Sequence, residues 1–412
     1  MDALVGENID LEGYINSEPE SKDTSQKFYF KANDFDDQIS ISSALYPTYT
    51  YGQNLKIKAI LKFPENFEAY PGGPIFDYIS YLSKDGVRYT MSRSQIIVLP
   101  ENSGNKLIKI LLKIKGAFMG NIERLMPEPH SSLVAGILLG EKGSLPEEIR
   151  NNFRRSGLTH ILVLSGSNVS VVASTLMSVF SFLPRTLAAS FGAFSIVLFA
   201  LMTGASATTI RASLMALILI MSGRVGRNYN VTRALVVAGF LMLLSNPQIL
   251  VFDIGFQLSF LSTLALIYVS PIIQTKLEFV TESFELKSIL STTISTQLFI
   301  FPFMLYSMGE VSLISLVTNI LVLPFVPWSM FTGFVTGFIG FFGYYLALPA
   351  AWITDLMLSW MMLVVSYFGE LSFAAARLTM SKPILVVIYV LYGIFIFRWH
   401  LQNSLQQSAN SN

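Results

Sequence analysis

Arg211 is the side chain best placed to act on a charged ligand, because it stands in "TGASATTIRASLMA" inside a long apolar stretch. Between Leu158 and Ser222 the ionisable side chains are His160, Arg185 and Arg211. Burying a guanidinium in a membrane span is expensive, so such a residue marks either a ligand path or a specific helix contact. The small and hydroxyl residues around it permit close helix approach and leave room for an anion. The competing reading pairs Arg211 with an acid such as Asp253, or with backbone carbonyls, and gives it a purely structural role. Asp253, Gln257, Gln297 and Asn319 are further polar groups in or beside apolar runs. Singly, each would serve helix association. Together with Ser165, Ser167, Asn168 and Ser170 of "LSGSNVS", they would line a polar path through a bundle.

Other chemistries find little support. The chain has no cysteine, which removes disulfides, thiolate metal sites and cysteine nucleophiles. His130, His160 and His400 are isolated, without the His-x-His or His-Glu-x-x-His spacing of dinuclear or zincin sites. Ser165 lies five residues after His160, which is about 140° around a helix, so the two would not meet as nucleophile and base. No P-loop is present. The expectation is a protein that is not an enzyme and carries no metal or cofactor.

The elements that must position these residues are helices in lipid. Hydrophobic residues make up 52% of the chain and charged residues 13%, about half the charged share of a soluble domain. The composition changes near residue 120. Apolar runs at 161–183, 187–204, 207–222, 231–246, 253–273, 289–308, 311–326, 328–343, 345–369 and 383–399 predict eight to ten spans. Pro324 and Pro327 could break one long segment, and Gly204 with Ser206 to Thr209 could interrupt another. Ser131 to Gly140 is apolar but too short to span, which predicts a re-entrant or buried helix. Gly333 and Gly337 form a Gly-x-x-x-Gly pair suited to tight helix packing.

Ahead of this lies a soluble part, residues 1–105, in which alternating stretches such as "KFYFKAN", "NLKIKAILKF" and "SQIIVLP" predict five strands of a small all-β barrel. The aromatics of a short helix at Phe76 to Leu82 are assigned to core packing. Residues 106–126 read as an amphipathic helix lying at a membrane surface. The membrane part is 127–400, and 401–412 forms a polar tail. Arg224, Arg227 and Arg233 cluster in one short loop, which the positive-inside rule assigns to the cytoplasm and which puts the barrel outside.

Several separated blocks resemble the ComEC competence proteins. "FRRSGLTHILVLSGSNVSVV" at 153–172, "LMTGASATTIRASLMALILIMSGRVGR" at 201–227 and "NPQILVFDIGFQLSFLSTLALI" at 246–267 are similar to segments of that family. So are "STQLFIFPFMLYSMGEVSLISLVTNILVLPFVP" at 295–327 and, in the soluble part, "YPGGPIFDYISYLSKDGV" at 70–87. The resemblance implies a polytopic α-helical membrane protein of the bacterial inner membrane with an N-terminal OB-fold-like barrel. It implies a channel for uptake of single-stranded DNA in natural transformation, served by separate ATPase, nuclease and DNA-receptor proteins. Three features depart from the family. Helices usually precede the barrel, many members carry a metallo-β-lactamase-like domain whose His-x-His-x-Asp-His motif is absent here, and "SGSN" stands where many have Ser-Gly-Leu-His. A compact form or a fragment is implied.

On this reading Arg211, Ser165, Asn168, Asp253, Gln257, Gln297 and Asn319 line the DNA path, while Tyr46, Tyr49, Tyr51 and Phe67 of the barrel stack on bases. Residues 1–100 hold 14 acidic and 9 basic side chains, a balance that weakens DNA binding by the soluble part unless its cations share one face. The alternative is a non-conducting membrane scaffold whose barrel binds protein or envelope partners.

Overall fold

A computed structural model describes residues 1–410 apart from 22–23, 69, 93, 142–144, 279 and 281–285; side chains are described to residue 402. The soluble part is built on strands β1 (Asn8–Ile15), β2 (Ser25–Ala32), β3 (Gln38–Ala44), β4 (Gln53–Ile60), β5 (Val87–Ser92) and β6 (Gln95–Asn102). Strict alternation in β2 sends Phe28, Phe30 and Ala32 inward, where they meet Ile15, Ile39, Ile41, Leu55 and Ile57. The strands follow the order β5-β3-β2-β1-β4-β6, with β3 and β5 parallel and the other pairs antiparallel. Among the described residues an isolated bridge, Lys62 to Thr90, links the segment after β4 to β5. The observed architecture is therefore a mixed sheet rather than a fully laddered barrel. Helix α1 (Tyr78–Ser83) is capped by Asp77, whose carboxylate accepts from the Ser80 amide at 3.1 Å.

Helix α2 (Lys106–Leu125) buries a stripe of Leu111, Lys115, Met119 and Ile122 and exposes Leu107, Ile110 and Ile114. Phe118 packs on Gly337 and the Asn121 side chain on Gly340, so α2 runs in the same direction as the helix carrying those glycines. One face of α2 is thus packed on that helix, and its exposed apolar residues lie on another. The buried charge on its inner stripe, Lys115, is matched by Glu18 of the soluble part at 2.8 Å. Helix α3 (His130–Leu139) is buried from Ser131 to Leu139, as expected for a short apolar helix inside protein.

The rest of the chain forms α4 (Glu147–Arg155), α5 (Thr159–Leu162), α6 (Gly166–Val179), α7 (Arg185–Met202), α8 (Ala207–Val225), α9 (Val231–Ser245) and α10 (Ile249–Phe252). Beyond these come α11 (Ile254–Leu264), α12 (Ser270–Lys276), α13 (Leu286–Ser307), α14 (Ser315–Val322), α15 (Val326–Ile339), α16 (Tyr344–Gly369) and α17 (Lys382–Asn410). Among the described residues, seven helical segments are long and apolar enough to cross a bilayer: Arg185–Met202, Ala207–Val225, Ile254–Lys276, Leu286–Ser307, Ser315–Ile339, Tyr344–Gly369 and Lys382–Gln402. The protein is a multi-pass membrane protein.

Three expectations change. The run 161–183 is split at Val163 to Ser165, leaving Gly166–Phe182 as a shorter apolar helix. The runs 311–326 and 328–343 form one span, because a 3-10 turn at Leu323–Phe325 carries the chain past Pro324 and Pro327 opens α15, where its missing N–H is no loss. Residues 401–410 of the expected polar tail continue α17 as helix.

The soluble part is fixed to the membrane part at a second and a third place. Lys84 Nζ pairs with Asp253 at 3.1 Å, and Asn246 Nδ2 donates to the Lys84 carbonyl at 2.7 Å. Tyr70 donates its hydroxyl to the Gly309 carbonyl at 2.9 Å and lies under the Arg377 guanidinium. Gly309 has φ +66°, and a Cβ there would lie 2.6 Å from the Tyr70 oxygen, so glycine is required by both conformation and space. Strands β7 (Glu310–Ser312) and β8 (Ala375–Arg377) pair beside this contact.

Candidate functional site

The interruption between α5 and α6 creates the site. Ser165 caps α6, its Oγ accepting from the Asn168 amide at 3.3 Å and donating to Asn168 Oδ1 at 2.9 Å. Asn168 is buried and reaches across to α3, its Nδ2 donating to the Ile137 carbonyl at 3.0 Å. The Leu164 carbonyl, freed by the break, accepts from Thr208 Oγ1 at 3.1 Å. Thr208 belongs to the first turn of α8, where Ser206 is the cap. Gly204 and Ser206 thus form the turn between α7 and α8 rather than an interruption inside a span.

Arg211, one turn into α8, is 8% exposed. Its Nε donates to Ser259 Oγ at 2.7 Å and its Nη1 to Thr263 Oγ1 at 2.7 Å. The two hydroxyls stand four residues apart on one face of α11. Thr263 passes its own proton to the Ser259 carbonyl at 2.8 Å, which leaves its lone pairs for the guanidinium. The Nη2 atom lies against Gly166, where any Cβ would collide with it. Among the described residues Arg211 has no ion pair with a carboxylate.

The guanidinium is held by neutral acceptors with no carboxylate paired to it among the described residues. Hydrogen bonds to a charged group contribute about 1.5–3 kcal/mol each, and the desolvation of a buried ion opposes them with several kcal/mol. The first amides of α6 present a second positive pole beside the guanidinium. An anion in the break would satisfy both. α11 also passes, after Leu264, into a π-helical stretch at Ala265–Val269 ahead of Pro271, an irregularity that recurs at functional positions in helices.

The structure therefore brings Ser165, Asn168 and Arg211 together and adds Gly166, Thr208, Ser259 and Thr263. It separates the other four path candidates. Asp253 pairs with Lys84 and caps α11 through the Phe256 amide at 2.8 Å, so it neither faces nor neutralises Arg211. Gln257 donates to the Leu250 and Val251 carbonyls at 2.8 and 3.0 Å. Gln297 donates to Ser315 Oγ, in a polar group beneath α4 where Thr318 also donates to the Ser156 carbonyl at 2.7 Å. Asn319 is buried, and its Oδ1 has no hydrogen-bond partner among the described residues.

The stacking candidates divide in the same way. Tyr49 is a core residue set edge-on to Phe28, and Tyr51 is buried with its hydroxyl accepting from the Asn105 amide, so neither can meet a base. Tyr46 and Phe67 are exposed. Phe67 opens an aromatic patch with Phe76, Tyr78 and Tyr81, at ring separations of 5.4 to 6.4 Å. Of α1 only Leu82 is buried, which overturns the assignment of its aromatics to a core. Two cations border the patch, with Lys27 Nζ 5.0 Å from the Tyr78 ring and Lys84 Nζ 4.6 Å from Tyr81. Burial alone would lower the Lys84 pKa, but the carboxylates of Asp85 and Asp253 outweigh it and hold the pKa above the ordinary lysine value.

The family described as "Competence protein" matches residues 137–402. ComE operon protein 3 of Bacillus subtilis (strain 168) is 25% identical over 367 residues, which are 86% of this chain and 45% of that protein. The chain thus spans about half the length of the curated relative it matches. No solved structure matches it.

Proposed function

The chain belongs to the ComEC family of competence proteins, and from that premise we propose that it conducts single-stranded DNA across the bacterial inner membrane during natural transformation. The observation that carries this reading is Arg211, a buried cation whose hydrogen-bond partners are neutral, two hydroxyls and the Met215 thioether, set beside the N-terminus of an interrupted helix. A polyanion crossing a bilayer needs such fixed positive groups at intervals, held by the protein so that they are not already neutralised.

The soluble part contributes the first contact with the strand. Its parallel β3-β5 pair, the Lys62–Thr90 bridge and the strand order support an OB-like barrel, and Phe67, Phe76, Tyr78 and Tyr81 with Lys27 and Lys84 support a stacking platform. Arg224, Arg227 and Arg233 stand at the opposite end of α9 from Asn246, which holds the soluble part. By the positive-inside rule the soluble part is extracytoplasmic. Strand cleavage, receptor binding and the energy for transport fall to separate nuclease, DNA-receptor and ATPase partners.

The test is uptake of labelled single-stranded DNA by cells carrying Arg211→Ala at matched membrane levels. A fall of tenfold or more, about 1.4 kcal/mol in barrier terms, is expected; full-rate uptake refutes the role of Arg211. The non-conducting scaffold has one observation in its favour: Asn168, Gln257 and Gln297 all donate within the bundle, as helix-locking groups do. It predicts that Arg211→Ala lowers stability in proportion to any loss of uptake.

A further inference from the structure

Outside the Arg211 cluster, α3, α4 and the break before α6 border an open cavity of about 370 Å³ whose lining includes Glu141, Glu147, Arg150, Asn151, Arg154 and Thr159, with Val163 at its wall. It adjoins a second cavity of about 480 Å³ that shares Glu147, Asn151 and Arg154 and adds Glu148, Asn152, Arg155 and Arg377. Arg150 and Arg154 are four residues apart on α4 and so share a face. Arg154 meets Glu310 through Nε at 3.2 Å, and Arg377 meets the other oxygen of Glu310 at 3.1 Å, which orients both guanidinium planes. Burial pushes the Glu141 carboxyl up, toward its neutral, hydrogen-bond-donating form. Val163 at the cavity wall is three residues from Gly166, the residue against which Arg211 Nη2 rests.

We propose that this cavity receives one phosphate-bearing unit of a single strand on its way to Arg211, with Arg150 and Arg154 as charged donors and Asn151 and Thr159 as neutral ones. The volume lies in the range of small-ligand pockets, about 300–1,000 Å³. Two arginines on one helix face suit a phosphate better than lysines would, because their forks match its oxygens. The identity of the ligand rests on the uptake reading; the site itself does not.

The experiment measures binding of a fluorescent single-stranded dT oligonucleotide to the full chain in nanodiscs, by anisotropy over a salt series. Arg150→Ala with Arg154→Ala should weaken binding about tenfold or more and reduce the salt slope by about 0.7 for each phosphate no longer neutralised. Because Arg154 also pairs with Glu310, Asn151→Asp is the second variant; it adds a negative charge to the cavity while leaving that pair intact. It should weaken binding with an unchanged melting temperature. Wild-type affinity and salt slope in Asn151→Asp overturn the site, whatever Arg211→Ala does to uptake. Weakened binding in the α4 variants together with full-rate uptake in Arg211→Ala keeps the site and refutes the pore role of Arg211.

Discussion

Asp253→Asn separates two jobs that one carboxylate performs. Asp253 pairs with Lys84 across the junction between the soluble and membrane parts, and it caps α11. Asparagine caps a helix about as well as aspartate, so Asp253→Asn removes the ion pair and keeps the cap. The side chains of Lys84 and Asp253 are 9% and 14% exposed. Breaking a fully buried pair costs about 3–5 kcal/mol, whereas exposed pairs contribute about 0–1 kcal/mol. Lys84 also keeps Asp85 at 3.1 Å after the change, which leaves its charge partly matched and places the expected cost at about 1–2 kcal/mol. Asp253→Ala should add about 1 kcal/mol for the missing cap.

The assay is thermal unfolding in nanodiscs, with Lys84→Met, Asp253→Asn and the double variant forming a cycle. A coupling near zero would refute the junction as drawn. Equal losses in the Asn and Ala variants would refute the capping role. The pH dependence has a definite sign. Lys84 has a folded pKa above its unfolded value, so the pair contributes fully below about pH 10.4, the unfolded lysine value. The contribution is then lost as pH rises through the higher folded pKa. Between neutrality and pH 9 the junction should not respond to this group.

Gly166→Ala should push Nη2 of Arg211 from its place, lowering stability by about 1–3 kcal/mol and uptake with it; a silent variant in both melting and uptake refutes the packing against Arg211. Tyr78→Ala with Tyr81→Ala should reduce oligonucleotide affinity of the full chain by about 1–3 kcal/mol per base unstacked, measured by anisotropy, with little change in melting. Tyr49→Ala should do the reverse, destabilising the sheet by about 3–5 kcal/mol, the cost of truncating a buried aromatic, because its ring is packed on Phe28. Thr263→Val should remove one acceptor from Arg211 and lower the melting temperature by the equivalent of about 1–3 kcal/mol; an unchanged melt refutes that bond.

Whatever depends on local composition is legible in the sequence. The greasy runs, the alternation of β2, the buried short helix α3 and the cation at Arg211 all carry their signal in adjacent residues. What escapes such a reading depends on partners far along the chain. Lys84 meets Asp253 across 169 positions of sequence, and Glu18 neutralises Lys115 across 97, so the inner face of α2 resembles an outer one. The three-residue strands β7 and β8 lie 65 positions apart and have no strand-like pattern of their own. Pro324 and Pro327 mislead as breakers, because a proline that opens a helical turn leaves the axis continuous. The aromatics of α1 have the spacing of a core stripe, yet they are only half-buried and pack on one another and on Phe67 rather than in the sheet core.

Helix α11 begins at the residue gripped by Lys84 and carries, six and ten residues further on, the hydroxyls that hold Arg211. At 1.5 Å per residue these stand roughly 9 and 15 Å along one rigid rod. A shift of Lys84 would therefore act on the same helix that holds the guanidinium, and the π-helical stretch follows beyond both contacts. The junction with the sheet and the buried guanidinium thus share one helix as their common support.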